Sequence, residues 1–452
     1  MRKLLLATVA VLGGTMGVAE VASAQALSET AGQTASPAPG TITVRLNGRV
    51  RFYAAAVFDR DTDTGGKQVN YTFGNYARLY PGFDGVAANG LKYGAALEIR
   101  QDNPAGAGGG ALGSISAQNR ARGALYFRRE WGYLGTNQLG TIRLGSIDSA
   151  SSLYMTGNFE NFNDGGLNGD VPAFVTGNNQ ITWPFADVGA LYTTTKAVYL
   201  SPQFFGFDAG VSYEPNTGNM TATNSCVGGI GGSIGCERLS STSSNAESGR
   251  RRNTLDALLR YRGTFGGFGI AATGGYITSS NVKDNQAIPF NSNRANGLTV
   301  RDNFDGLEVG DFGLAVTYGG LSVGGKYQFG RFNGQWALAA KGVADGEAWL
   351  AGASYTFGPV IVGAHYLDYK SAGDTGNAVF GRQRHETGLA VGATYSLAPG
   401  LSVFLSYLYT QRRQNGYNFT TGAGVTAAAP GGNPNSNKVI ANLVSIGTSF
   451  SW

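Results

Sequence analysis

The feature that most constrains this 452-residue chain is an alternation of apolar and polar side chains with a period of two, recurring about sixteen times. It is plain near residue 452, where Val444, Ile446, Phe450 and Trp452 alternate with Ser445, Gly447, Ser449 and Ser451. A period of two sends successive side chains to opposite faces of a strand. The stretches run to about ten residues, the length a tilted strand needs to cross a bilayer. One face is greasy, the other wet.

The first residues bear on the compartment. Arg2 and Lys3 precede an apolar stretch, Leu4 to Gly13, and Ala22-Ser23-Ala24 has the small-x-small form that a signal peptidase cuts. Residues 1–24 are therefore expected to be a signal peptide, and residues 25–40, rich in Ala, Ser, Thr and Pro, a short patternless periplasmic leader. No later segment offers the roughly 18 uninterrupted apolar residues of a spanning helix. Removing the signal peptide takes away Arg2, Lys3 and Glu20, so the formal charge falls from +5 by one. That is too mild a balance to imply nucleic acid.

Composition admits a long secreted β-sandwich or β-helix as well as a membrane barrel. Hydrophobic residues make up 42% of the chain, with 71 glycines and 11% aromatics. The absence of a fixed repeat of a few tens of residues counts against a β-helix. The distribution of charge within strands then favours the barrel. Ile42, Val44, Leu46, Val50, Phe52, Ala54, Ala56 and Phe58 share one face, and Arg45, Asn47, Arg49, Arg51, Tyr53 and Asp59 the other. An arginine facing mid-bilayer lipid costs about 2–4 kcal/mol, so the second face is wet. Similar alternation places Lys92, Glu98 and Arg100, and later Asp256, Arg260 and Arg262, opposite apolar neighbours.

Connections come in two sizes. Thr264 to Phe268, Tyr318 to Gly320, Phe357 to Pro359 and Ala398 to Gly400 are tight Gly/Pro turns. Residues 102–119, 148–189, 214–253, 278–306, 371–384 and 411–437 are long and polar. Short turns on one side and long loops on the other mark an outer-membrane barrel. The expectation is an all-β chain, a transmembrane antiparallel β-barrel of about sixteen strands over residues 41–452. A barrel of that size leaves an aqueous lumen, and the leader is too small to plug it.

Specific segments carry a family likeness. Tyr133-Leu134-Gly135-Thr136-Asn137-Gln138-Leu139-Gly140-Thr141-Ile142-Arg143-Leu144-Gly145 resembles the signature hairpin of Gram-negative general diffusion porins. Ala197 to Pro202 followed by Phe205 to Tyr213 is similar to the next strand pair of that family, and the aromatic Trp452, where Phe is commoner, to its assembly signal. The resemblance implies a homotrimer in the outer membrane of a Gram-negative bacterium, assembled by the barrel-assembly machinery. Each barrel would pass small hydrophilic solutes and ions passively, selected by size and charge.

The resemblance also implies that the loop 148–189 folds inward as a constriction. No basic residue lies between Arg143 and Lys196, whereas Asp148, Glu160, Asp164, Asp170 and Asp187 do, and Phe159, Phe162, Phe174, Trp183 and Phe185 can pack the loop against the wall. A solvated external loop is the alternative. Folded inward, the loop carboxylates would face the pore-lining arginines Arg45, Arg49, Arg51, Arg78, Arg100, Arg122, Arg128 and Arg143, making a transverse field. The balance leans toward anions. Strict alternation puts Arg129 outward with Phe127 and Trp131, which is anomalous for lipid unless a bulge or subunit contact intervenes. Arg250-Arg251-Arg252 reads as an external cluster, for lipopolysaccharide phosphates or simply solvated.

Chemistry is poorly represented. The two histidines, His365 and His385, have no metal-ligand spacing, no Ser/His constellation stands out, and no glycine loop precedes a helix, so no catalytic residue, metal or cofactor is expected. Cys226 and Cys236, in one long loop, are expected to form a disulfide in an oxidising envelope. Two other functions compete with nonspecific diffusion. One is a substrate-selective porin for sugars or anions, whose early aromatic candidates are Tyr53, Tyr76, Tyr80 and Tyr126; the other is a receptor or adhesin anchored by its barrel.

Overall fold

The computed structural model describes residues 37–58, 70–101, 125–159, 161–162, 166–167, 175, 181–185, 194–217, 225–226, 230–231, 240–241, 251–281, 283–284, 304–340, 342–373, 384–415, 417–419, 423–424 and 437–452. The signal-peptide and leader expectations lie almost wholly outside them, as do Arg122, Glu160, Asp164, Asp170, Asp187 and Cys236.

Sixteen strands form one closed barrel in which each pairs with its sequence neighbours. They are β1 (Ile42–Phe58), β2 (Tyr71–Val86), β3 (Lys92–Gln101), β4 (Tyr126–Thr136), β5 (Gly140–Ile147), β6 (Thr194–Leu200), β7 (Phe207–Asn216) and β8 (Arg252–Phe265). The second half comprises β9 (Phe268–Thr278), β10 (Glu308–Tyr318), β11 (Leu321–Arg331), β12 (Gly346–Phe357), β13 (Val360–Ser371), β14 (Arg384–Ala398), β15 (Leu401–Arg413) and β16 (Lys438–Ser451). Short turns gather at one rim and long loops at the other. The β8–β9 turn shows why glycine is needed: Gly266 and Gly267 have φ of 55° and 87°, the pair of positive values a two-residue hairpin turn requires.

Register confirms the two faces. Across β1 and β2, Arg45↔Gly82, Asn47↔Tyr80, Arg49↔Arg78 and Arg51↔Tyr76 point inward, and Val44↔Phe83, Val50↔Ala77 and Phe52↔Asn75 outward. Burial is inverted relative to a soluble protein. Val44 is 78% exposed on the outer wall, whereas Arg51 is 2% exposed inside. Closure joins β1 to β16 from Arg49↔Ser451 to Phe58↔Asn442. At its end Gly48 and Trp452 exchange backbone hydrogen bonds of 3.2 and 3.1 Å, and the indole covers Gly48 so closely that any side chain there would collide with it.

Arg129 does not face outward. The β3–β4 register shifts so that Ile99 pairs with Phe127 but Glu98 with Arg129, leaving Arg128 as the extra residue of a bulge. One inserted residue reverses the parity downstream, which turns Arg129 and Trp131 inward and Glu130 outward. Arg251 is also not part of an external cluster. It is 1% exposed and donates to Glu214 and to the Trp336 carbonyl.

The connection from β5 to β6 enters the barrel. It starts as one helical turn, α1 (Ala150–Leu153), whose Ser151 binds Asp256 on β8 through N–H (2.8 Å) and Oγ. From there Phe159, Phe162, Leu167, Val175, Ile181, Trp183 and Phe185 join the main buried cluster together with inward residues of β12 to β14, such as Leu350, Leu367 and Ala390.

Candidate functional site: the barrel lumen

The inward loop is seated on glycines. A Cβ added to Gly363 or Gly388 would run into Phe162 or Leu167, so the wall of β13 and β14 is bare where the loop's bulky side chains press on it. Backbone carbonyls fix the same segment. Thr394 donates to the Phe162 carbonyl (2.8 Å), His365 Nδ1 meets the Phe159 carbonyl, and Gln335 donates to that of Phe185 (3.1 Å). The loop thus lies against β7 to β14. Across the lumen from it stand β16, β1, β2 and β3.

That opposite wall carries two kinds of basic group. In the first, arginines bond carboxylates of the wall itself. Arg45 Nε donates to Asp84 at 2.5 Å, and Tyr133 donates to the same carboxylate. Glu98 accepts from Arg100, Arg128 (2.9 Å) and Arg129, and Arg129 also binds Asp148 (2.7 Å) at the root of the inward loop. The second kind is a cluster around one ring. Arg49 and Arg78 lie 5.3 and 4.3 Å from the centroid of Tyr76, and Arg51 lies 4.9 Å from Tyr53 and 4.1 Å from Phe404. Guanidiniums stack favourably on aromatic faces, which lets three like charges share a small area.

These positions refine the expected layout. Arg45, Arg100 and Arg128 bond acids of the same wall, and Arg143 stacks on Trp131 at 4.6 Å. Of the loop acids, Asp148 is described, and its partner is Arg129. Alternation alone does not single out Asp84, although it shares the parity of Arg78 and Gly82. Tyr53 and Tyr76, candidates for a sugar path, are buried and bed guanidiniums. Tyr80 pairs inward with Asn47, and Tyr126 stands opposite Arg100. Further pairs line the rest of the wall: Asp208 with Arg260 and Arg262 (2.8 and 2.7 Å), Asp311 with Lys326 (2.5 Å), and Glu386 with Arg412. Among the described residues no group of His, Cys, Asp and Glu could hold a metal ion. Trp452 sits at the barrel seam and Cys226 in a two-residue strand; its expected bond to Cys236 lies outside the described residues.

A closed sixteen-strand barrel, apolar outside and charged within, narrowed by its own loop, is an outer-membrane diffusion channel. The sequence matches the Gram-negative porin family over residues 7–415, and the chain belongs to that family. Among solved structures it is similar to an anion-selective porin from Comamonas acidovorans, at 17% identity over 91% of this chain and 100% of that one, with a TM-score of 0.51. It is also similar to OmpF of Salmonella typhi, solved in complex with daunomycin, at 14% identity over 90% and 97% of the two chains, with a TM-score of 0.52. No curated protein matches the sequence.

Proposed function

We propose that the channel passes small hydrophilic solutes with a preference for anions, and that the selecting element is the guanidinium cluster of Arg49, Arg51 and Arg78. The observation that carries this reading is the grouping of three guanidiniums around Tyr76 on the paired strands β1 and β2. A fixed concentration of positive charge raises the local concentration of anions and repels cations, within a Debye length of about 8 Å at physiological salt. The acidic residues of the loop, Glu160, Asp164, Asp170 and Asp187, would complete a transverse field that orders water and favours dipolar solutes over apolar ones. Passage involves no bond making. The test is the reversal potential across a planar bilayer under a salt gradient, which should have the sign of anion preference and lose it when the three arginines are replaced by glutamine.

The working unit on this reading is a homotrimer. Glu130 supports it, because an exposed carboxylate opposite Leu97 and Ser146 on the outer wall is unfavourable in lipid and suits a protein contact. The aromatic Trp452, at the barrel seam, fits recognition by the barrel-assembly machinery. Residues 1–24 would direct export.

A further inference from the structure

We propose that two connections set the aperture together: the segment 332–340 between β11 and β12 is a strap that positions the second half of the inward loop, through Gln328, Gln335 and Trp336, and so governs which solutes pass by size. The proposal uses the diffusion channel alone and holds for either sign of ion preference.

The strap is folded inward. Phe332, Trp336 and Leu338 are buried in the same apolar cluster as Ile181, Trp183 and Phe185 of the inward loop. Both of its flanks are fastened to the wall. On one side the Asn333 side chain donates to the Gly373 carbonyl (2.8 Å) and accepts from the Gly373 N–H (3.1 Å), the Tyr369 hydroxyl donates to the Gly334 carbonyl (3.0 Å), and the Phe332 ring stacks on that of Tyr369 at 5.8 Å. On the other side Arg251 donates to the Trp336 carbonyl (3.1 Å), and Glu214 on β7 accepts from the same guanidinium at 3.2 and 3.1 Å. The strands β9 to β12 lie between these fastenings, which flank β8 and β13. The backbone from 333 to 336 spans at most roughly 11 Å. The wall from β8 to β13 measures roughly 24 Å at one strand spacing per step, so the segment stands inward of the wall as a chord.

Backbone strain marks the same place. Trp336 has a φ of 54°, in the left-handed region that a bulky residue keeps only where its surroundings over-determine it. Burial of the indole, the Arg251 bond to its carbonyl and the two backbone bonds between Asn333 and Ala337 (2.9 and 3.1 Å) impose it here. The wall is cleared for the strap as well, since a Cβ on Gly346 of β12 would meet the Phe332 ring at 2.8 Å.

The strap meets the inward loop through amides. Gln335 donates to the Phe185 carbonyl (3.1 Å). Gln328 on β11 is fully buried, and both ends of its amide are satisfied when the nitrogen donates to the Pro184 carbonyl (3.1 Å) and the oxygen accepts from the Trp336 indole N–H (3.3 Å). The anchors of the inward loop therefore divide among the described residues. Phe159 and Phe162 are held by His365 and Thr394 of the wall, and Pro184 and Phe185 by Gln328 and the strap, with Thr182 donating to Glu386 (3.4 Å) beside them. Loss of the strap's bonds leaves the first half seated and loosens the second. The aperture widens while the arginines of β1 and β2 stay where they are.

The full-length protein is reconstituted in planar bilayers as wild type, as Gln328→Leu/Gln335→Leu and as Trp336→Phe, and the same preparations are assayed by liposome swelling in sugars of increasing size. Loss of two neutral hydrogen bonds to the loop should make excursions to a wider conductance level roughly 30-fold more frequent, and loss of the one indole bond in Trp336→Phe roughly fivefold. Large sugars should gain permeation relative to small ones in the same order, with the reversal potential and far-ultraviolet circular dichroism of wild type. Wild-type excursion frequency and sugar ratios in the folded double variant overturn the strap. A shifted reversal potential without the wider level also overturns it, since the effect would then lie in charge and not in size. If the double variant does not assemble, Trp336→Phe, which keeps the buried ring, decides alone: the wider level supports the strap and wild-type behaviour overturns it.

Discussion

Single residues on the inner wall act as members of charge networks. Arg129 is the clearest case, since it is 4% exposed and joins Glu98 on β3 to Asp148 at the loop root. Replacing it with methionine leaves Asp148 without that partner, and loss of one member of a buried pair costs about 3 kcal/mol or more. Arg129→Met should unfold at lower temperature in heat-modifiability gels, with Arg129→Lys intermediate; an unchanged transition would remove this pair from the account. Parity in the sequence was enough to find the inward arginines of β1. It failed at Arg129 because a bulge inserts one residue without any signal in composition, and that single step exchanges the environments of Arg129 and Glu130. Pairing partners such as Asp84 for Arg45 depend on which strands are neighbours, which alternation alone does not state.

At the scale of elements, the inward loop and its seat define the aperture. Leu167 occupies the space that a side chain at residue 388 would need, and Phe162 does the same at 363. Gly388→Leu should therefore lift the loop from β14 while the strands keep their hydrogen bonds. The expected result is a single-channel conductance changed by at least about half with the circular dichroism of wild type, reflecting the volume conflict of overpacking. Unaltered conductance in a folded variant would mean that the loop does not set the aperture. The strands were legible in the sequence because their period and the alternation of short and long connections are local signals. The route of the loop was not. Its aromatic residues and lack of basic ones indicated an unusual loop, but the glycines that receive it lie some 200 residues away in sequence, on strands where glycine also reads as mere permissiveness.

For the whole molecule, barrel closure and assembly follow from the outer wall. A wall with Val44, Leu405 and Ile446 exposed needs lipid around it, and the exposed carboxylate of Glu130 needs something else. Glu130→Arg should lower the temperature at which the native oligomer dissociates on semi-native gels, leaving the barrel itself intact; an unaffected oligomer would place the subunit contact elsewhere. The number of strands and the existence of a lumen could be argued from length and repetition, whereas the distribution of charge around the lumen needed the closed register. That distribution carries the central claim, which the reversal potential of the reconstituted channel in a tenfold salt gradient tests most directly, measured for wild type and for Arg49→Gln/Arg51→Gln/Arg78→Gln. Anion preference in the wild type, moving toward or past neutrality in the triple variant at comparable conductance, is the predicted result. A cation-preferring wild type, or a triple variant with the same reversal potential, would contradict it.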